Sequence, residues 1–326
     1  MRTAWCSHET LTTLPAGTNG TAGTDATYIL FGDYPQTIKA DGVTVDEDIS
    51  KQMGVFTYYL GSDGAWYAKL AENAYETGYT YSDGSAVMQG GTSYVYFKVE
   101  PIKWRVLTES FDHDGVSTTA GKKLLFAENV LINDKYYDDI SLNRIIDGNE
   151  VSTSNYEHSR IRAYLNGIDY NKSGTNSSEF SENGGFLGTA FTSVAQGIIA
   201  QTTVVSNARS ANPSYNATRW NSGANNYTSD TPTEDKVFIL SMQEVTTADY
   251  GFAANEGLDT ARYRLPTDFA KANGTRMSDV DSSLWWIRSP FDADSRKTRY
   301  APGGLNDRAE VSTGYFGVVP ALCIDN

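Results

Sequence analysis

The sequence predicts an α+β fold with many short antiparallel strands, few short helices and long irregular loops. Three observations carry this expectation. From Tyr28 onward, short apolar runs rich in Tyr, Val, Ile, Phe and Trp are separated by Gly, Asp and Asn clusters. Helical spacing of apolar residues occurs in only a few brief stretches, and two long Asn/Ser/Thr-rich stretches at 168–184 and 206–232 have no periodicity at all. No fixed-period repeat or Pro-rich linker divides the chain after residue 28, so residues 28–326 read as a single domain. Residues 1–27, which include the Thr/Gly/Ala-rich stretch 14–24, read as an N-terminal tether.

Strands are predicted at Tyr28–Phe31, Phe56–Leu60, Trp66–Ala68, Ser93–Val99, Lys103–Leu107, Lys123–Phe126, Val237–Leu240 and Val318–Ile324. Asp63-Gly64 between the second and third supplies the positive φ that a tight hairpin requires. A helix is predicted over Tyr156–Gly167, where Ile161, Tyr164 and Leu165 share a face and Gly167 ends it; its opening Glu157 suits the positive end of the helix dipole, with His158 structural. A second is expected from Phe186 to near Ala200, with Leu187, Ala190, Phe191 and Val194 on its apolar face. Ser241 and Glu244 have capping-box spacing, which predicts a helix directly after the strand at 237–240. A short helix is predicted from Pro266-Thr267-Asp268 to Gly274.

Composition narrows the function. The 326 residues are 40 % hydrophobic and 12 % aromatic, enough for a large core without disulfide staples. With 26 basic and 40 acidic residues the net charge is −14, which opposes binding to phosphate backbones, so no nucleic-acid partner is expected. No apolar run is long enough to span a bilayer, and the first residues lack a signal core. Cys6 and Cys323 stand at opposite ends, either as two structural thiols or as one disulfide. With only His8, His113 and His158 present, no multi-histidine metal centre is expected, and Asp134, Asp138 and Asp139 match no EF-hand spacing and read as a solvated acidic loop. Asp112-His113-Asp114-Gly115 reads as a solvated turn, and no nucleophile elbow, P-loop or dinucleotide fingerprint occurs. No metal, cofactor or catalytic residue is therefore expected.

The C-terminal segment is different in character. Trp285-Trp286-Ile287-Arg288-Ser289-Pro290 and Gly317-Val318-Val319-Pro320-Ala321-Leu322 are apolar brackets around the aperiodic stretch 291–316, whose Tyr, Phe, Arg, Asp, Ser and Gly have the composition of a paratope. Residues 288–326 hold five basic and five acidic side chains, so the acidity lies elsewhere in the chain. The candidate binding residues are Phe291, Asp292, Asp294, Arg296, Lys297, Arg299, Tyr300, Asn306, Asp307, Arg308, Tyr315 and Phe316, above a core floor of Trp285, Trp286, Val318 and Val319. Aromatics would bury area against a partner, while Arg and Asp would set its charge selectivity.

Four motifs in order carry a family resemblance: Ile29-Leu30-Phe31-Gly32-Asp33-Tyr34-Pro35-Gln36-Thr37, Val99-Glu100-Pro101-Ile102-Lys103-Trp104-Arg105-Val106-Leu107, Ser159-Arg160-Ile161-Arg162-Ala163-Tyr164-Leu165-Asn166, and the bracket just described. Over nearly the whole chain the sequence resembles the variable proteins of diversity-generating retroelements, including those of Treponema. Their fold is C-type-lectin-like, of the branch shared with formylglycine-generating enzyme. The resemblance implies a non-enzymatic, surface-displayed binding protein whose variable segment, 288–318, is rewritten by a retroelement to meet varied ligands, a protein first and a glycan as the alternative. It also implies a monomer held at the cell surface as an outer-membrane lipoprotein, with no signal in this chain and the membrane met only through a lipid anchor. Cys6 ahead of the tether fits that plan, although Thr3-Ala4-Trp5 is a poor lipobox; a Cys6–Cys323 disulfide is the rival. The chain departs from its relatives in two ways. It lacks the neighbouring cysteine pair with which formylglycine-generating enzymes hold copper, and it lacks the Glu-Pro-Asn or Gln-Pro-Asp and Trp-Asn-Asp of calcium-dependent lectins, having only Trp220-Asn221-Ser222. An oxidoreductase with an altered site and a structural surface protein remain the competing expectations.

Overall fold

Tyr28–Ile38 and Tyr94–Thr108, which contain the first two motifs, form the spine of the molecule in the computed structural model. The structure describes residues 10–14, 27–111, 121–133, 136–138, 144–146, 149–169, 184–206, 232–278, 282–291, 296–302, 304–305 and 307–325. Among these the strands run β1 (Thr12–Leu14), β2 (Tyr28–Ile38), β3 (Val45–Met53), β4 (Phe56–Gly61), β5 (Trp66–Ala71), β6 (Tyr94–Thr108), β7 (Lys122–Ala127), β8 (Arg144–Ile146) and β9 (Asn149–Val151). Helices α1 (Arg160–Asn166), α2 (Gly185–Ala190) and α3 (Ser193–Ile198) follow. The C-terminal half holds β10 (Thr202–Val204), β11 (Thr233–Asp235), β12 (Val237–Phe238), α4 (Asp268–Ala272), β13 (Trp285–Pro290), β14 (Lys297–Ala301), β15 (Arg308–Glu310) and β16 (Ala321–Asp325). The chain is thus mixed and strand-rich with few short helices, as the sequence predicts. No helix among the described residues is long and apolar enough to cross a membrane.

One antiparallel nine-stranded sheet dominates. β2 lies along one edge of β6, while the other edge is shared: Tyr94–Lys98 pairs with β5 and Trp104–Thr108 with β7. β4 and β3 continue one wing, and β16 and β12 the other. Two strands predicted at 93–99 and 103–107 are therefore one continuous strand through Pro101. Proline has no N–H for the ladder, so it needs an irregular position. The β2–β6 register shifts there, and Gln36 Nε2 donates to the Glu100 and Pro101 carbonyls at 2.9 and 3.0 Å. Trp104 fixes the same spine from inside, donating from Nε1 to Phe31 O at 2.8 Å.

The predicted hairpin forms between β4 and β5, with Gly64 at φ 81°. β3 escapes sequence reading because Val45-Asp46-Glu47-Asp48 is charged and most of the strand is exposed. Thr12–Leu14 pairs with Tyr28–Leu30, so this part of the expected tether is bound to the sheet; the other residues before 27 lie outside the described residues, apart from 10 and 11.

The helices are shorter than periodicity suggests. In α1, Ser159 Oγ accepts from Arg162 N at 3.3 Å, which places Glu157 and His158 before the helix instead of opening it. Gly167 ends it at φ 62°. The stretch 186–200 is two helices, because Phe191 turns extended and Thr192 caps α3 through Ala195 N; the break leaves Val194 63 % exposed instead of on an apolar face. The capping-box bonds form in both directions, Ser241 N to Glu244 Oε2 at 2.7 Å and Glu244 N to Ser241 Oγ at 3.2 Å, yet only a 3-10 turn at Glu244–Thr246 follows. Thr246 and Thr247 donate their hydroxyls to the Met242 and Gln243 carbonyls, which competes with helix continuation. α4 begins at the Thr267 cap and stops at Gly274, φ 91°.

Candidate functional site

The C-terminal segment forms a second, three-stranded antiparallel sheet, β13–β14–β15. Stretch 291–316 is thus not a loop throughout. Trp286 pairs with Tyr300, and Lys297, Thr298 and Arg299 pair with Glu310, Ala309 and Arg308. Periodicity fails to reveal β14 because Thr298 and Arg299 are both buried, which erases the in-out alternation of a one-sided strand.

The floor is as expected: Trp285, Trp286, Val318 and Val319 are fully buried. Trp285 packs on Phe126 at 5.6 Å and donates to Arg262 O at 3.1 Å, while Trp286 packs on Tyr137 at 5.9 Å. Beneath β13, Arg288 makes a bidentate pair with Glu244 at 2.5 and 2.7 Å and donates to Ile239 O at 2.5 Å. Buried attraction to that carboxylate holds the guanidinium above its ordinary pKa, against the opposing effect of burial. Asp138, expected in a solvated loop, is fully buried beside this floor, with its N–H bonded to Val311 O at 3.1 Å.

Above the floor, seven of the predicted residues reach the surface. Arg296, Asp307 and Arg308 are exposed; Phe291, Lys297, Tyr300 and Tyr315 are half-buried. Arg308 lies 4.8 Å over the Phe291 ring, and Lys297 is 3.6 Å from Glu310. Two of the predicted binding residues belong to the core instead. Phe316 is 2 % exposed, wedged 4.6 Å from Trp286, 4.5 Å from Tyr300 and 5.0 Å from Tyr315, because Gly317 turns its chain into the floor through bonds to Leu284 and Trp286. Arg299 is also buried, donating to Leu305 O at 2.6 Å beneath Phe291. Asp292, Asp294 and Asn306 lie outside the described residues.

The structure adds two residues that no linear pattern singles out. Tyr75, from the loop after β5, packs 4.8 Å from Tyr315. Arg276, just after α4, donates its N–H to Tyr315 O at 2.9 Å and lays its guanidinium 5.6 Å from the Tyr75 ring and 5.5 Å from that of Tyr315. Burial pushes the Tyr300 phenol above its ordinary pKa, and Asp307 adds to the shift while Arg276 and Arg308 oppose it. The surface is therefore a cluster of rings with guanidinium groups stacked on them, held by a rigid aromatic underlayer.

Other sites of possible chemistry are of a different kind. A cleft of about 460 Å³ lies between the end of β2 and α4, lined by Gln36, Thr37, Leu265, Asp268, Lys271 and neighbours. Its carboxylate is engaged structurally: Asp268 accepts from Ile38 N at 3.1 Å and from Ser82 N and Oγ at 2.9 and 2.5 Å. Cys323 is buried in β16, where burial pushes its thiol up to about 12. Cys6, His8, His113, Asp134 and Asp139 are outside the described residues. Among those described, no group of three or more His, Cys, Asp or Glu is placed to hold a metal ion.

The model of a family described as a domain of unknown function, DUF6273, matches residues 120–326. No curated protein and no solved structure matches the chain. The matched stretch is more than half of the sequence and contains the whole β13–β15 sheet and its floor, and the chain accordingly belongs to the DUF6273 family.

Proposed function

We propose that this chain is a non-enzymatic binding protein of C-type-lectin-like fold, displayed at the cell surface, whose C-terminal segment 288–318 contacts a macromolecular ligand. The observation that carries the reading is the separation of roles within one small sheet. Phe291, Arg296, Lys297, Tyr300, Asp307, Arg308 and Tyr315 reach the surface over Trp285, Trp286, Val318 and Val319, which are wholly buried. Surface side chains on such a platform can change with little cost to stability, the arrangement a diversified binding segment requires. The mixture of aromatic rings and guanidinium groups favours a protein ligand, where such residues act as anchors. A thiol that burial keeps protonated supports packing, and not oxidation chemistry, as the role of Cys323.

Sequencing the locus in sister isolates tests the reading. Substitutions should concentrate at the surface positions between 291 and 315 and spare Arg299, Phe316 and the floor, beside a reverse-transcriptase gene and a near-copy of the coding segment. An even spread of substitutions along the chain would overturn it.

A further inference from the structure

Two guanidinium groups lie near Tyr300, and neither is paired with a described carboxylate. Arg276 lies beside the packed rings of Tyr75 and Tyr315, 5.6 and 5.5 Å from their centroids, and Arg308 lies 4.8 Å over Phe291. Neither side chain makes a hydrogen bond or ion pair with a described residue, whereas Lys297 nearby faces Glu310 at 3.6 Å. Stacking on rings orients a guanidinium without consuming its N–H donors, so the edge that pairs bidentately with a carboxylate stays available. Among the described residues, Asp307, an exposed carboxylate near Tyr300, is outnumbered by these two cations, in a chain whose net charge is −14.

We propose that Arg276 and Arg308 form a carboxylate clamp beside Tyr300, and that the occupant is an acidic segment of a partner protein presenting Asp or Glu beside apolar side chains. The apolar neighbours would lie on Tyr300 and Tyr315 while the carboxylates meet the guanidinium edges. The inference deepens the binding role proposed above and rests on it. It adds that Tyr75 and Arg276, supplied from outside residues 288–318, form a constant part of a surface whose remainder can vary.

Calorimetric titration of the full chain tests this with three probes: an amide-capped peptide of alternating glutamate and leucine, its glutamine counterpart, and sodium sulfate. The glutamate peptide should bind at least about tenfold more tightly than the glutamine peptide, and Arg276→Gln and Arg308→Gln should each weaken it by about tenfold. Arg276→Lys, which preserves the charge, should recover only part of the loss because it lacks the planar fork. Lys123→Ala, remote from the patch, should leave affinity unchanged. Equal affinity for the two peptides, or indifference to both arginine substitutions in folded protein, overturns the clamp. Sulfate binding as tight as the glutamate peptide overturns it in favour of a site for free anions. These outcomes are independent of the isolate comparison: clustered substitutions with no carboxylate preference would remove the clamp alone, and an even spread with a strong preference would remove the diversification reading alone.

Discussion

At the scale of single residues, burial separates side chains that composition treats alike. Phe316 and Tyr315 are neighbours of the same chemical type, yet Phe316 is core and Tyr315 is half-buried surface. Phe316→Ala is expected to cost about 3–5 kcal/mol of stability in urea unfolding, the range for a fully packed ring, whereas substitutions of exposed residues fall within about 0.5 kcal/mol. Glu244→Ala should cost about 3–5 kcal/mol by the same measurement, because it leaves Arg288 charged, buried and without its bidentate partner. Cys323 gives a pH dependence. Burial raises its pKa from the ordinary 9.0 to about 12, so below pH 9 the thiol is protonated in folded and unfolded chains alike. Between those values the unfolded chain loses the proton and the folded chain keeps it, and stability falls as pH rises. Cys323→Ala should remove one proton equivalent, about 1.4 kcal/mol per pH unit, from the alkaline slope of stability across that window. An unchanged slope would show that the thiol is solvated.

At the scale of elements, much of the fold was legible. The α1 motif declares its own start and stop through Ser159 and Gly167, and its Asn166 then joins helix to strand: Oδ1 accepts from Lys236 N and Val237 N, both at 3.0 Å, while Nδ2 donates to Val237 O at 2.8 Å. Gly167 has a second duty that sequence does not reveal. At φ 62° a Cβ would meet the Gly184 carbonyl carbon at 2.4 Å, since α1 and α2 approach backbone to backbone. Gly167→Ala should therefore lower stability by about 2 kcal/mol or more, readable as a lower urea midpoint. Less legible were β3, whose exposed charged residues have no buried stripe, and the helix expected after Ser241, where hydroxyl-to-carbonyl bonds from Thr246 and Thr247 outcompete a good cap. β14 was hidden for the opposite reason, since burial on both faces removes alternation.

At the scale of the molecule, the two chain regions that matter most are interleaved. β16, the end of the described chain, lies inside the large sheet between β12 and β7, with Leu322 opposite both Val237 and Leu125. The strand just after the candidate binding segment is thereby built into the scaffold, so both ends of the segment are anchored while its surface residues stay outside the core. A chain ending after Phe316 should fail to fold cooperatively, because it strips the partner from β7 and β12 and opens the core over Phe126 and Phe238. A two-state melt and a native far-UV spectrum from that truncation would contradict the arrangement.

The sequence by itself determined the class of fold, the aromatic floor, the caps and hairpin that depend on a few adjacent residues, and the C-terminal segment as the place to look for binding. These are local or compositional properties, written in spacing and residue type. Only the tertiary structure decided which residues of that segment face outward, and that Arg276 and the far more distant Tyr75, 240 positions before Tyr315, join them. It also decided that Arg299 and Phe316 belong beneath the surface. The reason is physical: exposure is a property of what packs above a side chain, and for these residues that cover is assembled only on folding, from Phe291 and Leu305 around Arg299 and from Trp286, Tyr300 and Tyr315 around Phe316.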